Sequence, residues 1–348
     1  MKFDSIQVFR AIAANAVVLS HLLGIEGKYG KGFVVLPDWI GQAGPAGVHF
    51  FFVISGCVMV FASRGVKWSD FMLSRMIRIY PIYWFYTSIF ILVIVLAPQY
   101  VSFGLPSPAS ILKSYLLWPD SSAPLLTVGW SLIFEMYFYM VLTLALALAV
   151  PLRLAIVFWT GLTTLIVLLS PQGTPLITLI SSPLTFEFIA GAMVGFVVLH
   201  GYVSYRRTAL VAGVAGLVVG FIRYVSYALP NDASLITVVS LAIPFSLILY
   251  AGLSFECVRR WPKSSWMVLL GDASYSTYLS HSLVLTVAGR IFLYAPISGW
   301  VAEATFVLLS VVAANLVGIL SYIWLERPSL KLCRTLFGAP TRTGAVTS

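Results

Sequence analysis

Charge is what this sequence has least of. Only 9% of its 348 residues are Asp, Glu, Lys or Arg, where a soluble domain carries roughly a quarter. A water-soluble globular fold is thereby excluded. No polar stretch is long enough to fold as a separate soluble module. Residues 1–330 therefore read as one integral membrane domain, with 331–348 a cytoplasmic tail. Cysteine is scarce as well. Cys57, Cys257 and Cys333 form no Cys-x-x-Cys pair, which argues against a disulfide framework and against a metal site. A small-residue cleavage site is missing after the first apolar run, so a cleaved signal peptide is not expected. No internal repeat is visible, which removes support for an inverted-repeat carrier.

What the chain has instead is apolar surface. Hydrophobic residues make up 60% of it and aromatics 14%. Runs long enough to cross a hydrocarbon core recur at 6–23, 44–63, 78–97, 131–149, 152–170, 183–199, 208–225, 233–253, 271–290 and 301–324. This predicts an all-α, polytopic bundle of about ten transmembrane helices. The pair around "VPLR" and the ninth run are the least distinct. Ten spans place both termini on one side. Of the 21 basic residues, fifteen fall on that side and five on the other, with Arg10 inside the first span. Basic residues collect in cytoplasmic loops, so both termini are expected in the cytoplasm. The same bias accounts for the net charge of +9 without nucleic acid. The long segment 98–130 contains "SPASILKSYLLWP", which suits a short interfacial helix.

Few ionisable groups lie inside these spans, and such groups are costly there. "FRAIAANAVVLSH" carries Arg10 and His21. Eleven residues are three turns plus roughly 20°, so both lie on one helix face, about 16 Å apart along the axis. An arginine that snorkels to the interface and a packing histidine would give the same spacing. Glu135 in "GWSLIFEMYFY", Glu187 in "PLTFEFIAG", His49 in "GVHFFFVISG" and His281 in "SYSTYLSH" are all expected in the outer half of the bundle. Glu135 beside a histidine could hold one imidazole tautomer and stabilise its cation. Which Glu faces which His stays open. The second loop, "SRGVKWSDFMLSRMIRIYPIYW", places Arg75 and Arg78 on one face, with Arg64 and Lys67 nearby. Such a patch suits phosphate, and ordinary loop charge bias would also produce it.

Taken in order, Arg-x10-His, "GVHFFFVISG", "RMIR" before "IYPIYW", "WSLIFEMYFY", "SYSTYLSH" and a terminal "ERP" resemble the acyltransferase-3 family of integral membrane acyltransferases. The resemblance runs from Ile6 to about Pro328, and the opening "IQVFRAIAANAVVLSH" is similar to members that acetylate bacterial exopolysaccharide. It implies transfer of an acyl group, usually acetyl from acetyl-CoA, to a carbohydrate hydroxyl in the bacterial cytoplasmic membrane. It also implies functional roles for Arg10 and His21, donor contact at Arg75 and Arg78, and a match at Glu135. Two departures stand out. His49 occupies a position where Asp or another residue is common, so no role carries over to it. Some members add a C-terminal hydrolase-like domain that is not in this sequence, so the chain is expected to act alone or with separate polysaccharide-synthesis machinery.

The resulting expectation has coenzyme A docking from the cytoplasm, its phosphates on Arg75 and Arg78, with Arg64 or Lys67 assisting. The pantetheine arm passes Arg10 toward His21, which transfers a proton at the thioester or accepts the acyl group itself. Trp130, Glu187 and His281 are candidates for the acceptor side, along with Tyr137, Tyr139, Tyr275 and Tyr278. Aromatics at that depth also serve packing and interface belts. The acceptor is a glycan or a lipid-linked saccharide. The competing class is a proton-coupled transporter or flippase of glycan intermediates. A non-catalytic scaffold subunit is a further alternative.

Overall fold

The computed structural model describes residues 3–97, 106–169, 173–227, 233–262 and 264–338. Among these, every regular element is helical: α1 (Asp4–Tyr29), α2 (Ile40–Ser63), α3 (Trp68–Leu96), α4 (Pro108–Leu116), α5 (Trp130–Ala147), α6 (Leu152–Leu169), α7 (Pro175–Ile180), α8 (Thr185–Leu199), α9 (Arg206–Tyr227), α10 (Leu235–Cys257), α11 (Ser265–Tyr294), α12 (Trp300–Ser321) and α13 (Arg327–Phe337). The distal part of the expected tail, 339–348, lies outside the described residues, as does Lys263 of the basic loops.

Among the described residues, nine helical segments are long and apolar enough to cross a membrane. The ninth predicted run corresponds to α11, which is not among them although it spans 30 residues. The reason is its buried face. Ser274, Ser276, Thr277, Ser280 and His281 of α11 are all buried. A helix enclosed by other helices can carry small polar side chains away from lipid, as where Ser276 donates to Glu326 at 2.6 Å, so it need not be apolar throughout.

Helix α1 packs between α2 and α11, α12 lies on the other side of α11, and α2 continues to α8 and α10. Small residues allow the closest of these approaches. A side chain at Gly191 of α8 would run into the carbonyl of Val53 on α2, and one at Gly56 of α2 would run into the carbonyl of Phe188. The two backbones therefore touch, as small residues permit in membrane bundles. At the start of α1, the free N–H groups of Asp4 and Ser5 donate to the two carboxylate oxygens of Glu256, at 2.7 and 2.8 Å. A carboxylate is the favourable partner for a helix N-terminus. It ties the start of α1 to the end of α10.

At the opposite face, α4 forms the predicted short helix. Ser107 caps it by accepting from Ser110 N–H at 3.1 Å. Tyr83 of α3 donates to the Ser114 carbonyl at 2.9 Å, and Trp84 donates to that of Tyr115 at 2.9 Å. Together α4 and the segment after it roof over the start of α5.

Candidate active site

Helix α3 begins at Trp68, ten residues before the predicted span. Asp70 in its first turn suits the helix dipole, and nothing between Trp68 and Arg78 breaks a helix. Arg75 and Arg78 are therefore both residues of α3, and the structure separates them from Arg64 and Lys67. Arg75 and Arg78 line an interior cavity of about 120 Å³ with Arg10 of α1, Ser55 of α2, Ser131, Glu135 and Tyr139 of α5, and Tyr275 and Tyr278 of α11. Arg64 and Lys67 are exposed near the α2–α3 connection and do not line this cavity.

Arg78 is ion-paired to Glu326, whose second carboxylate oxygen accepts from Ser276 Oγ at 2.6 Å. Glu326 closes a π turn, Tyr322–Glu326, just before Arg327 and Pro328. The terminal "ERP" thus supplies the counter-ion of a cavity arginine, a role that sequence alone did not assign. Arg10 shares the cavity with Arg78 and Glu135 and an adjoining space with Asp272.

Glu135 accepts from Ser55 Oγ at 2.6 Å. Of the pairings the sequence left open, Glu135 takes none with a histidine among the described residues: it shares the cavity with Arg10, Arg75, Arg78 and Tyr139. Val128, Ser131 and Leu132 are already buried, so the first turns of α5 lie well inside the protein.

The carboxylate that does hold a histidine is Glu187. It is completely buried and pairs with Nδ1 of His49. Tyr224 sets its ring edge-on to His49 with centroids 6.0 Å apart. His49 lines a second cavity, a cleft of about 470 Å³ that also includes Trp130, Phe134, Asp120 and Thr178. Val48 and Phe52 line both spaces and form their common wall. At the rim of the cleft, Lys113 donates to Asp120 at 3.0 Å. That hydrogen bond, with the Ser121 N–H, holds the Asp120 carboxyl below its ordinary value.

His21 and His281 form the other histidine pair, with ring centroids 4.9 Å apart at 69°. His21 is exposed and His281 is fully buried. Nδ1 of His21 lies 3.0 Å from the Val17 carbonyl and Nδ1 of His281 lies 3.3 Å from that of Thr277. A carbonyl only accepts, so in each of these contacts Nδ1 is the donor. Tyr278, which lines the interior cavity, stands 5.9 Å from the His281 ring. The Arg10 and His21 ends of α1 therefore open into different surroundings.

A third space of about 570 Å³ lies beside the terminal ends of α1 and α11. It is lined by Gln7, Arg10, Arg78, Asp272 and, from α13, Arg327, Lys331 and Arg334. Arg10 and Arg78 belong to this vestibule and to the interior cavity alike. Vestibule, cavity and cleft thus follow one another through the bundle, joined first by two arginines and then by Val48 and Phe52.

A family model described as an acyltransferase domain matches residues 3–322. The chain belongs to this acyltransferase family. It is also 34% identical over 307 residues to the exopolysaccharide production protein ExoZ of Rhizobium meliloti (strain 1021), covering 83% of this chain and 90% of that one. No solved structure matches. For an acyltransferase the sequence of spaces is chemically apt. A cationic vestibule suits a phosphorylated donor, and a cleft with aromatic walls suits a second substrate. Of the residues read from sequence, Arg10, Arg75, Arg78 and Glu135 meet in the cavity. His21 and His281 meet each other, Glu187 meets His49, and Trp130 lies on the cleft. The resemblance gave His49 no role. Its one readable signal was an ionisable residue inside an otherwise apolar span.

Proposed function

We propose that this acyltransferase moves an acetyl group from acetyl-CoA to a hydroxyl of an exopolysaccharide sugar. The observation that carries the reading is the succession of vestibule, cavity and cleft, each sharing lining residues with the next, cationic at one end and aromatic at the other. Coenzyme A enters at the vestibule, where Arg327, Lys331 and Arg334 join Arg10 and Arg78 around its phosphates. This assignment favours α13 over the exposed Arg64 and Lys67 as the assisting cations. The narrower cavity beyond takes the pantetheine arm between Arg75, Glu135 and Tyr139. His21 is the residue for proton transfer at the thioester, as the resemblance implies. The acceptor glycan occupies the cleft with Trp130. The name of the relative ExoZ supports exopolysaccharide as the acceptor class.

In this reading the vestibule faces the cytoplasm, where acetyl-CoA is found, and the cleft faces outward across the bacterial cytoplasmic membrane. The bias of basic residues toward the terminal side supports that orientation. A cysteine placed at Lys67 in a cysteine-free background is expected to resist an impermeant thiol reagent applied outside intact cells. Outside labelling there would reverse the orientation. The activity itself is tested with purified protein, radiolabelled acetyl-CoA and candidate glycans. Label on the glycan supports acyl transfer. Glycan movement across vesicle membranes without label transfer would favour the flippase alternative.

A further inference from the structure

We infer that His49 and Glu187 form a dyad that activates the acceptor, with His49 as the general base for the sugar hydroxyl and Glu187 as its positioning residue. This inference rests on the acyl-transfer reading and adds a second proton-handling site to it, apart from His21.

Three observations support it. The first is tautomer control. Glu187 engages Nδ1 of His49, so the shared proton on Nδ1 leaves a lone pair on Nε2, the ring nitrogen turned away from the carboxylate. A general base requires such a lone pair. The second is location. His49 lines the cleft beside Trp130, Phe134 and Thr178. Aromatic faces cover the C–H surfaces of a sugar, and nearby polar groups fix its hydroxyls. Val48, the neighbour of His49 in sequence, is part of the wall shared with the donor cavity. The third is energetic. Glu187 is fully buried in a membrane helix, and among the described residues its Oε2 has no hydrogen-bond partner. A well-packed apolar pair would serve stability as well or better. A carboxylate that is only half satisfied is instead explained by what it does to the imidazole.

The step balances as follows. Nε2 of His49 takes the hydroxyl proton as the sugar oxygen attacks the carbonyl carbon of the acyl thioester. A C–O bond forms, the C–S bond breaks, and the electron pair leaves on sulfur. The leaving sulfur takes up one proton, which in the acyl-transfer reading His21 relays from solvent. His49 releases the hydroxyl proton to the solvent of the cleft, so that one proton is taken up and one released.

The test uses the full-length protein in detergent, radiolabelled acetyl-CoA, and chemically de-O-acetylated exopolysaccharide from the host cell as acceptor. His49→Gln keeps a polar side chain without a usable base. It should lower kcat by roughly 10²–10⁴-fold while acetyl-CoA affinity stays at the wild-type level, which also shows the variant to be folded. Glu187→Gln should lower kcat with an unchanged KM for glycan. The double variant should lose no more than His49→Gln alone, because residues acting as one unit are not additive. Wild-type transfer by His49→Gln would overturn the base. A kcat loss in Glu187→Gln that simply adds to that of His49→Gln would overturn the dyad. Wild-type protein that moves no label would overturn the acyl-transfer reading and the dyad with it.

Discussion

His21 and His49 stand on neighbouring helices, yet their rings have opposite kinds of partner. His21 faces another imidazole, that of His281, and is exposed. His49 faces a carboxylate and is enclosed between α2 and α8. An imidazole beside an imidazole gains no counter-charge, and exposure lets it exchange protons with its surroundings. An imidazole beside a buried carboxylate is fixed in one tautomer and stabilised when it becomes a cation. The first arrangement suits a group that delivers a proton to a leaving thiolate. The second suits a group that removes one from a hydroxyl. The difference teaches that a histidine's task is set by what its ring faces on neighbouring helices, which no spacing along one helix reveals.

The largest expected effect divides the two roles directly. With acetyl-CoA, His21→Ala and His49→Gln should each lose about 10²–10⁴-fold in turnover. With a phenyl thioester as donor, the leaving thiolate is stable without a proton. His21→Ala should then recover most of the wild-type rate on that donor, while His49→Gln stays impaired. Label transfer to glycan measures both. Equal recovery of the two variants, or recovery of neither, would break the assignment. Moving the histidine by one position, as in His21→Ala with Ser20→His, turns it by about 100° and should rescue nothing.

Next in size is the donor end. Arg78→Ala removes a cavity cation and leaves Glu326 buried without its counter-ion. Breaking one side of a buried pair costs about 3–5 kcal/mol, so both the thermal midpoint and acetyl-CoA affinity should fall. Lysine at this position would restore charge but not the fork. Arg75→Ala should lower donor affinity with a smaller loss of stability, since Glu326 keeps Arg78. Acetyl-CoA affinity unchanged in both variants would remove the cavity from the donor path. Neither variant should alter the phenyl thioester reaction as strongly, because that donor carries no phosphate.

Gly191→Ala tests how the His49 site is built. The added carbon would meet the Val53 carbonyl, so α8 must shift from α2. Overpacking of this kind costs about 1–3 kcal/mol. It should also separate Glu187 from His49 and lower turnover on the phenyl thioester, a loss that His21→Ala does not show. Wild-type turnover in a destabilised Gly191→Ala protein would show that the dyad does not need this close packing.

Much of this was legible before the structure. Apolar runs gave the helical bundle, since few patterns other than membrane spans place 18 apolar residues together. Arg10 and His21 marked α1 because ionisable groups rarely enter such runs. Pairing across helices was not legible. Glu135 and Glu187 sit at similar places in their helices by sequence, yet one meets Ser55 and the other His49. That outcome depends on packing between helices distant in sequence, such as the approach of α8 to α2 that Gly56 and Gly191 allow. The start of α3 was also missed. Arg75 and Arg78 lower the local hydropathy enough to mimic a loop, while Glu326, some 250 residues later, supplies the charge that lets Arg78 stay inside.

The smallest effect belongs to the rim of the cleft. Asp120 is held by Lys113 and by the Ser121 N–H, and its carboxyl lies below the ordinary value. A carboxylate whose folded value is depressed stabilises the fold at pH above its unfolded value, about 3.9. That contribution is lost as pH falls through the depressed folded value. Lys113→Ala removes the largest cause of the shift. The thermal midpoint of Lys113→Ala should therefore sit slightly below that of wild type near neutral pH, and the gap should close in acid. Exposed pairs contribute little, so the gap should be smaller than that of Gly191→Ala. A gap that widens on acidification would show the sign to be wrong. The same variant sharpens the comparison of the histidines. Loosening the rim should raise the KM for glycan and leave kcat unchanged, because Asp120 shapes the cleft that His49 lines. No effect is expected on donor affinity, because Asp120 lies outside the cavity and the vestibule alike.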